Sequence, residues 1–203
     1  MTSRLPLSGN TALAAGALIQ AALGIEFLFA GLSKVVDPDF AAQFKSFVES
    51  SPGSRDGILA PLMQSLIVPH IILAADLAKF TELGAGVVLF VSAIDVARRR
   101  FSGRFGAQHP YEPAVALLSS AAAVVIGGLS LMIYLIEGGV IPRVSAAFAF
   151  GSPIAIERLI VPLAMGIAWL QFGRFQALTT RQTAGPTNLV GAASRQAWPA
   201  HSR

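Results

Sequence analysis

Cysteine is absent from all 203 residues, which removes disulfides, thiol nucleophiles, iron–sulfur clusters and thiolate zinc sites from this chain in any compartment. Histidine is scarce. His70, His109 and His201 are too few for a histidine metal site, and bis-histidine haem ligation needs two at membrane depth, where only His70 is expected. Charge is scarce as well: Asp, Glu, Lys and Arg make up 13% of the chain, against about a quarter in an average soluble protein. Nor is there a phosphate loop, a dinucleotide fingerprint or a Ser, His and Asp triad. With no electron carrier of its own in view, the chain is not expected to catalyse alone, and neither a catalytic residue nor a metal or covalent cofactor is assigned.

What replaces charge is apolar surface, 54% of residues, with a mean hydropathy of +0.63. A soluble globular domain does not have this composition. The net charge of +4 raises the question of a nucleic-acid partner, but the basic residues cluster between apolar stretches, as they do in membrane proteins. The bilayer is therefore the expected partner, and nucleic acid is not.

A bilayer core about 30 Å thick needs roughly 20 apolar residues in a helix. The first such run is Ala12 to Leu32, broken only by Gln20 and Glu26. A signal peptide competes here, because Arg4 precedes an Ala-rich stretch, yet the run continues past any small-residue cleavage site into IEFLFAGL, which favours a retained helix. Ala114 to Ile136 and Ile154 to Phe172 are equally clear. Between them, Gly57 to Ala75 holds Pro61 and Pro69, and Leu83 to Ile94 is short. These are either two spans, making five in all, or one long helix near 68–97 preceded by an interfacial piece. Four spans gather Arg4, Arg98, Arg99, Arg100, Arg104, Arg174, Arg181, Arg195 and Arg203 on one side, against Lys34, Lys45, Arg55 and Arg143 on the other. The positive-inside rule favours that arrangement, with both termini cytoplasmic.

The expected fold is thus all-α: a four-transmembrane-helix antiparallel bundle spanning about 12–34, 68–97, 114–136 and 153–174. It follows a cytoplasmic segment 1–11 and precedes a flexible polar tail 176–203. Between the first two spans, FAAQFKSFV places Phe40, Phe44 and Phe47 on one helical face, as a segment lying on the membrane surface would.

Three stretches carry a family likeness: GIEFLFAGLSKVVDPDFAAQF from Gly24, SSPGSRDGILAPLMQSLIVPH from Ser50 and TELGAGVVLFVSA from Thr81. Together they resemble the DoxX family of small bacterial membrane proteins, DoxD-like members included, over about Gly16 to Val96; the rest is similar only in hydropathy. The resemblance implies a four-helix subunit of the bacterial inner membrane that works with other membrane or soluble subunits. DoxD-like members are associated with thiosulfate oxidation coupled to quinone reduction, so a quinone is the implied ligand. Other branches are linked to oxidative stress and thiol redox, and a direct thiol role is at odds with a chain that has no cysteine.

Ionisable residues inside a span cost at least roughly 2.5 kcal/mol each and ask for a partner or a role. Glu26 lies in the first span; Asp76, Lys79 and Glu82, spaced by three, form a polar stripe on the second. Lys79 can pair with either acid of its own helix, leaving the other to face Glu26 and share a proton. His70 is the candidate hydrogen-bonding group for a quinone carbonyl, with Phe40, Phe44 and Phe47 as an apolar pocket. Glu26, His70, Asp76, Lys79 and Glu82 are accordingly the candidate proton or quinone site. Against this stands a structural reading, in which fully paired charges fix helix register in an architectural subunit. A transporter is a third class, disfavoured by the lack of an inverted repeat. Lys34 and Asp37 read as interfacial anchors, Glu157 and Arg158 as a helix start, and Gly24, Gly31, Gly84 and Gly86 as positions for close helix approach.

Overall fold

The computed structural model describes residues 7–99, 106–139 and 156–183, and every regular element among them is helical. Arg100, Arg104, Arg143 and the tail from residue 184 lie outside the described residues. Helix α1 (Leu7–Val36) stops just before Asp37 and Pro38, because a residue preceding proline is disfavoured in helical conformation. Helix α2 (Phe40–Ser50) and the single turn α3 (Pro52–Arg55) follow, and α4 (Ala60–Leu62) then opens a continuous helical run. That run widens into a π turn at Met63–Ile67, tightens into a 3-10 turn at Val68–His70 and becomes α5 (Ile71–Arg98). Pro69 explains the change of winding, since it has no N–H for the helical ladder. Helices α6 (Glu112–Ile136) and α7 (Ile156–Thr183) complete the chain. Gly138 and Gly139, both at positive φ, close α6 by bonding back to the carbonyls of Leu135 and Tyr134, a conformation that favours glycine.

Among the described residues three helices are long and apolar enough to cross a bilayer, Thr11–Val36, Ala60–Arg98 and Glu112–Ile136, which marks the chain as a membrane protein. Large apolar side chains such as Leu18, Phe29, Ile72 and Trp169 point outward and suit contact with lipid tails. The fourth expected span, 153–174, overlaps α7, which falls outside this set; it carries Gln171 and Arg174 along its length. Residues 60–98 form one helical run, not the two spans of the five-span alternative. Helix α7 also continues to Thr183, into the stretch expected as tail. Nothing in Gln176–Thr183 breaks a helix, and the Thr179 and Thr180 hydroxyls bond back to the carbonyls of Phe175 and Gln176; Gly185 and Pro186 come only later.

The seam between α1 and α5 is made by glycine. Gly24 faces Phe90, Gly31 faces Leu83, and Gly86 faces Leu28, so the two helices run antiparallel with their backbones in contact. A Cβ placed on Gly31 or Gly24 would sit 2.5 or 2.7 Å from the facing backbone nitrogen. Gly84, by contrast, meets open space and takes no part. Helices α6 and α7 form a second antiparallel pair, in which Ser120 donates to the carbonyl of Ala168 at 2.9 Å and Arg158 stacks over the Tyr134 ring at 4.9 Å. The pairs meet in one apolar core containing Leu23, Phe27, Leu89, Ile126, Ile160 and Ile167.

A smaller core of Val48, Met63 and Ile136 lies at the Lys34 end, with Phe44 and Phe47 packed on it. The apolar face of α2 is therefore covered by the π turn and the end of α6. Phe40, Phe44 and Phe47 on that face are half-buried.

Candidate functional site

The phenylalanines of α2 form one wall of a cleft of about 580 Å³ between α2, the π turn, α5 and the end of α6. Phe40, Phe44, Phe47, Met63, Ile67 and Met132 line its apolar part. Its polar part is an ion pair: the Lys34 ammonium, at the end of α1, contacts the Glu82 carboxylate of α5, whose side chain is only 5% exposed. Lys34 also lies 5.8 Å from the centre of the Phe40 ring, and Thr81 adds a hydroxyl to the lining. The result is a lipophilic cleft whose polar lining is the Lys34 ammonium, the Glu82 and Glu137 carboxylates, the Gln43 amide and the Thr81 hydroxyl. Such a cleft is able to take an apolar ring and offer hydrogen bonds to oxygens at its rim.

The five sequence candidates do not converge. Glu82 lines the cleft. Asp76 and Lys79 pair with each other at 2.7 Å, with Lys79 5.4 Å over the Phe80 ring, and neither lines the cleft. His70, at the junction into α5, is exposed and does not reach the phenylalanines. Glu26 is exposed on α1, so the acid left over by Lys79 faces Lys34 and not Glu26. The physical reason is register: the glycine seam brings Gly31 against Leu83, which carries Lys34 onto Glu82 and turns Glu26 away.

Sequence reasoning missed a second polar centre at the opposite end. Arg98 donates to Asp95 at 2.8 Å, to Glu112 at 2.7 Å and to the carbonyl of Ala107 at 2.8 Å. Arg99 also pairs with Glu112, and Arg174 of α7 reaches Asp95 at 2.5 Å and Glu112 at 3.6 Å. Glu112 has a fully buried side chain and accepts from the His109 backbone N–H as well. The network ties the end of α5, the start of α6 and the last turns of α7 together. A signal was present, since Asp95 precedes Arg98 and Arg99 by three and four residues, the spacing of helical ion pairs. The arginines read as mere topology markers only because the acids were overlooked.

Between the two ends, Gln20 bridges all four long helices. Its amide donates to the carbonyl of Leu89 at 3.0 Å and to the Ser119 hydroxyl at 2.9 Å, and its carbonyl accepts from Gln171 at 2.6 Å. Among the described residues no three His, Asp or Glu side chains are grouped as metal ligands. No family model, curated protein or solved structure matches the chain.

Proposed function

We propose that this chain is a four-span subunit of a quinone-linked oxidoreductase complex in a bacterial inner membrane, with both termini cytoplasmic and α7 as the fourth span. The observation that carries this reading is the cleft: an apolar chamber walled by Phe40, Phe44 and Phe47 that is polar at the Lys34–Glu82 pair. The residues fit a quinone. Aromatic rings and Met63 suit its ring, and Lys34 and Thr81 are donors for its carbonyl oxygens. A bound quinone would supply the two-electron carrier that this chain's own side chains lack. Lys34 and Glu82 then position the head group and keep a proton donor and acceptor beside it. The resemblance to DoxX proteins adds the expectation that electrons arrive from a partner subunit.

Quinones quench tryptophan fluorescence at short range, so Phe44→Trp places a reporter in the cleft. Titration with a short-tailed ubiquinone analogue should quench that signal saturably, above the background of the native Trp169 and Trp198. Linear quenching, no stronger than that of a Phe29→Trp reporter on the outer face of α1, would remove the cleft as a quinone site.

A second reading has its own support. Lys34 with Glu82 and Lys79 with Asp76 leave no acid of the α5 stripe unpaired, which is what an architectural subunit requires of intramembrane charge. Under that reading the same titration shows no saturation, while removal of the chain disperses the complex it packs.

A further inference from the structure

A separate groove lies at the arginine-rich end, formed by α1, α5 and α7, with a volume of about 1220 Å³. Small residues line it: Ala14, Ala17 and Ala21 from α1, Ala97 from α5, and Gly173 and Ala177 from α7. Leu13 and Leu18 of α1, Ile94 of α5, and Trp169, Leu170 and Leu178 of α7 complete an apolar wall along the three helices. The lining is not uniformly apolar. Arg99 and Arg174 contribute to it, whereas Asp95 and Glu112, their carboxylate partners, do not.

The charges behind this lining do not balance. Arg98, Arg99 and Arg174 face Asp95 and Glu112, which leaves one positive charge in excess among the described residues. Arg174 is nine-tenths buried, and its Nη1 is enclosed without an acceptor. A desolvated N–H of a charged group without a partner is costly, and an uncompensated charge in a low-dielectric site calls for an anion.

We propose that this groove binds an anionic phospholipid, with its phosphate on Arg99 and Arg174 and an acyl chain along the alanines of α1 and α7. The apolar lining distinguishes this ligand from a soluble anion, which has no use for it. A second copy of the chain fits poorly, because a two-fold contact sets the same patch against itself and so opposes one arginine pair to another. The positive-inside rule puts these arginines at the cytoplasmic leaflet, where anionic lipids attract basic residues. The inference rests on the membrane location of the chain and is independent of what the Lys34–Glu82 cleft holds.

Native mass spectrometry of the full chain in detergent tests it, with phosphatidylglycerol and phosphatidylcholine of identical acyl chains as probes. Phosphatidylglycerol should be retained about tenfold more strongly, and Arg99→Gln should remove most of that preference. Since Arg99→Gln also breaks an ion pair with the buried Glu112, and Arg174→Gln one with Asp95, the second variant is Ala97→Phe, which fills the groove with every charge in place. It should weaken retention of phosphatidylglycerol without lowering the thermal midpoint. Equal retention of the two lipids would reduce the groove to nonspecific apolar contact and overturn the proposal. So would full displacement of the lipid by inorganic phosphate, which would indicate a bare anion site, or a dimer that excludes lipid. Undiminished binding by Ala97→Phe would place the lipid elsewhere.

Discussion

Lys34, in the last turn of α1, holds its ammonium against the carboxylate of Glu82, about three turns into α5 and 48 residues away in sequence. Because Glu82 is almost fully buried, deleting its partner leaves a carboxylate uncompensated in a low dielectric, a loss of about 3–5 kcal/mol. Lys34→Met should therefore destabilise the folded chain strongly, and Glu82→Gln in the same molecule should restore most of the loss. Lys79→Met should cost less than Lys34→Met, since its partner Asp76 is nearly half exposed and Glu82 is buried. Thermal midpoints in detergent read all three. If Lys79→Met proved the more damaging single variant, the pairing described here would be wrong.

The seam between α1 and α5 supplies a matched pair of substitutions two residues apart. Gly86→Ala drives a methyl group into the backbone of Leu28, and overpacking of this kind costs about 1–3 kcal/mol. Gly84→Ala meets nothing within 4 Å and removes backbone freedom from a helix interior, so it should be neutral or stabilising by up to about 1 kcal/mol. Equal effects of the two would mean that α1 and α5 do not meet along this face.

How much of this could be read beforehand depended on the range of the interaction. Apolar run lengths and prolines are local signals, so the all-helical, membrane-type character and the long helix near 68–97 followed from the residues. So did the candidacy of Gly24, Gly31 and Gly86 for close approach, although Gly84, equally small, turned out to face open space. Side-chain partners between helices depend on register, which no local pattern encodes. Glu26 and Glu82 look alike in sequence, yet one is exposed on α1 and the other meets a lysine that had read as an interfacial anchor. His70 follows Pro69, but the change of winding there leaves it outside the cleft. Asp95 and Glu112 were hidden among arginines whose number had a sufficient topological explanation.

Topology is directly testable because the chain contains no cysteine, so single introduced thiols carry no background. Gln108, exposed in the connection between α5 and α6, and Glu49, exposed on α2, lie toward opposite ends of α5. With the arginine-rich end cytoplasmic, Glu49→Cys should react with an impermeant maleimide in intact cells, while Gln108→Cys should react only after permeabilisation. The reverse pattern would invert the orientation. Labelling of both in intact cells would argue against α5 crossing the bilayer.

The Gln20 bridge makes an asymmetric prediction. Gln20 satisfies Leu89, Ser119 and Gln171 together, whereas Gln171 gives one hydrogen bond and carries a buried carbonyl oxygen without a partner. Gln20→Leu orphans the amide of Gln171, a loss of about 1–3 kcal/mol. Gln171→Leu leaves the buried carbonyl oxygen of Gln20 without its donor but also removes the unsatisfied oxygen of Gln171, so it should cost less than Gln20→Leu. The double variant should then be less damaging than the sum, because the second substitution removes the group that the first left unpaired. Coupling between buried polar residues in membrane proteins averages about 0.6 kcal/mol and reaches about 1.7, and a contact with charge-free partners at 2.6 Å belongs in that range. Denaturation in mixed detergent, carried out on the wild type, both single variants and the double, measures the coupling. Strict additivity would show that Gln20 and Gln171 do not touch in the membrane and would remove a polar link between α1 and α7.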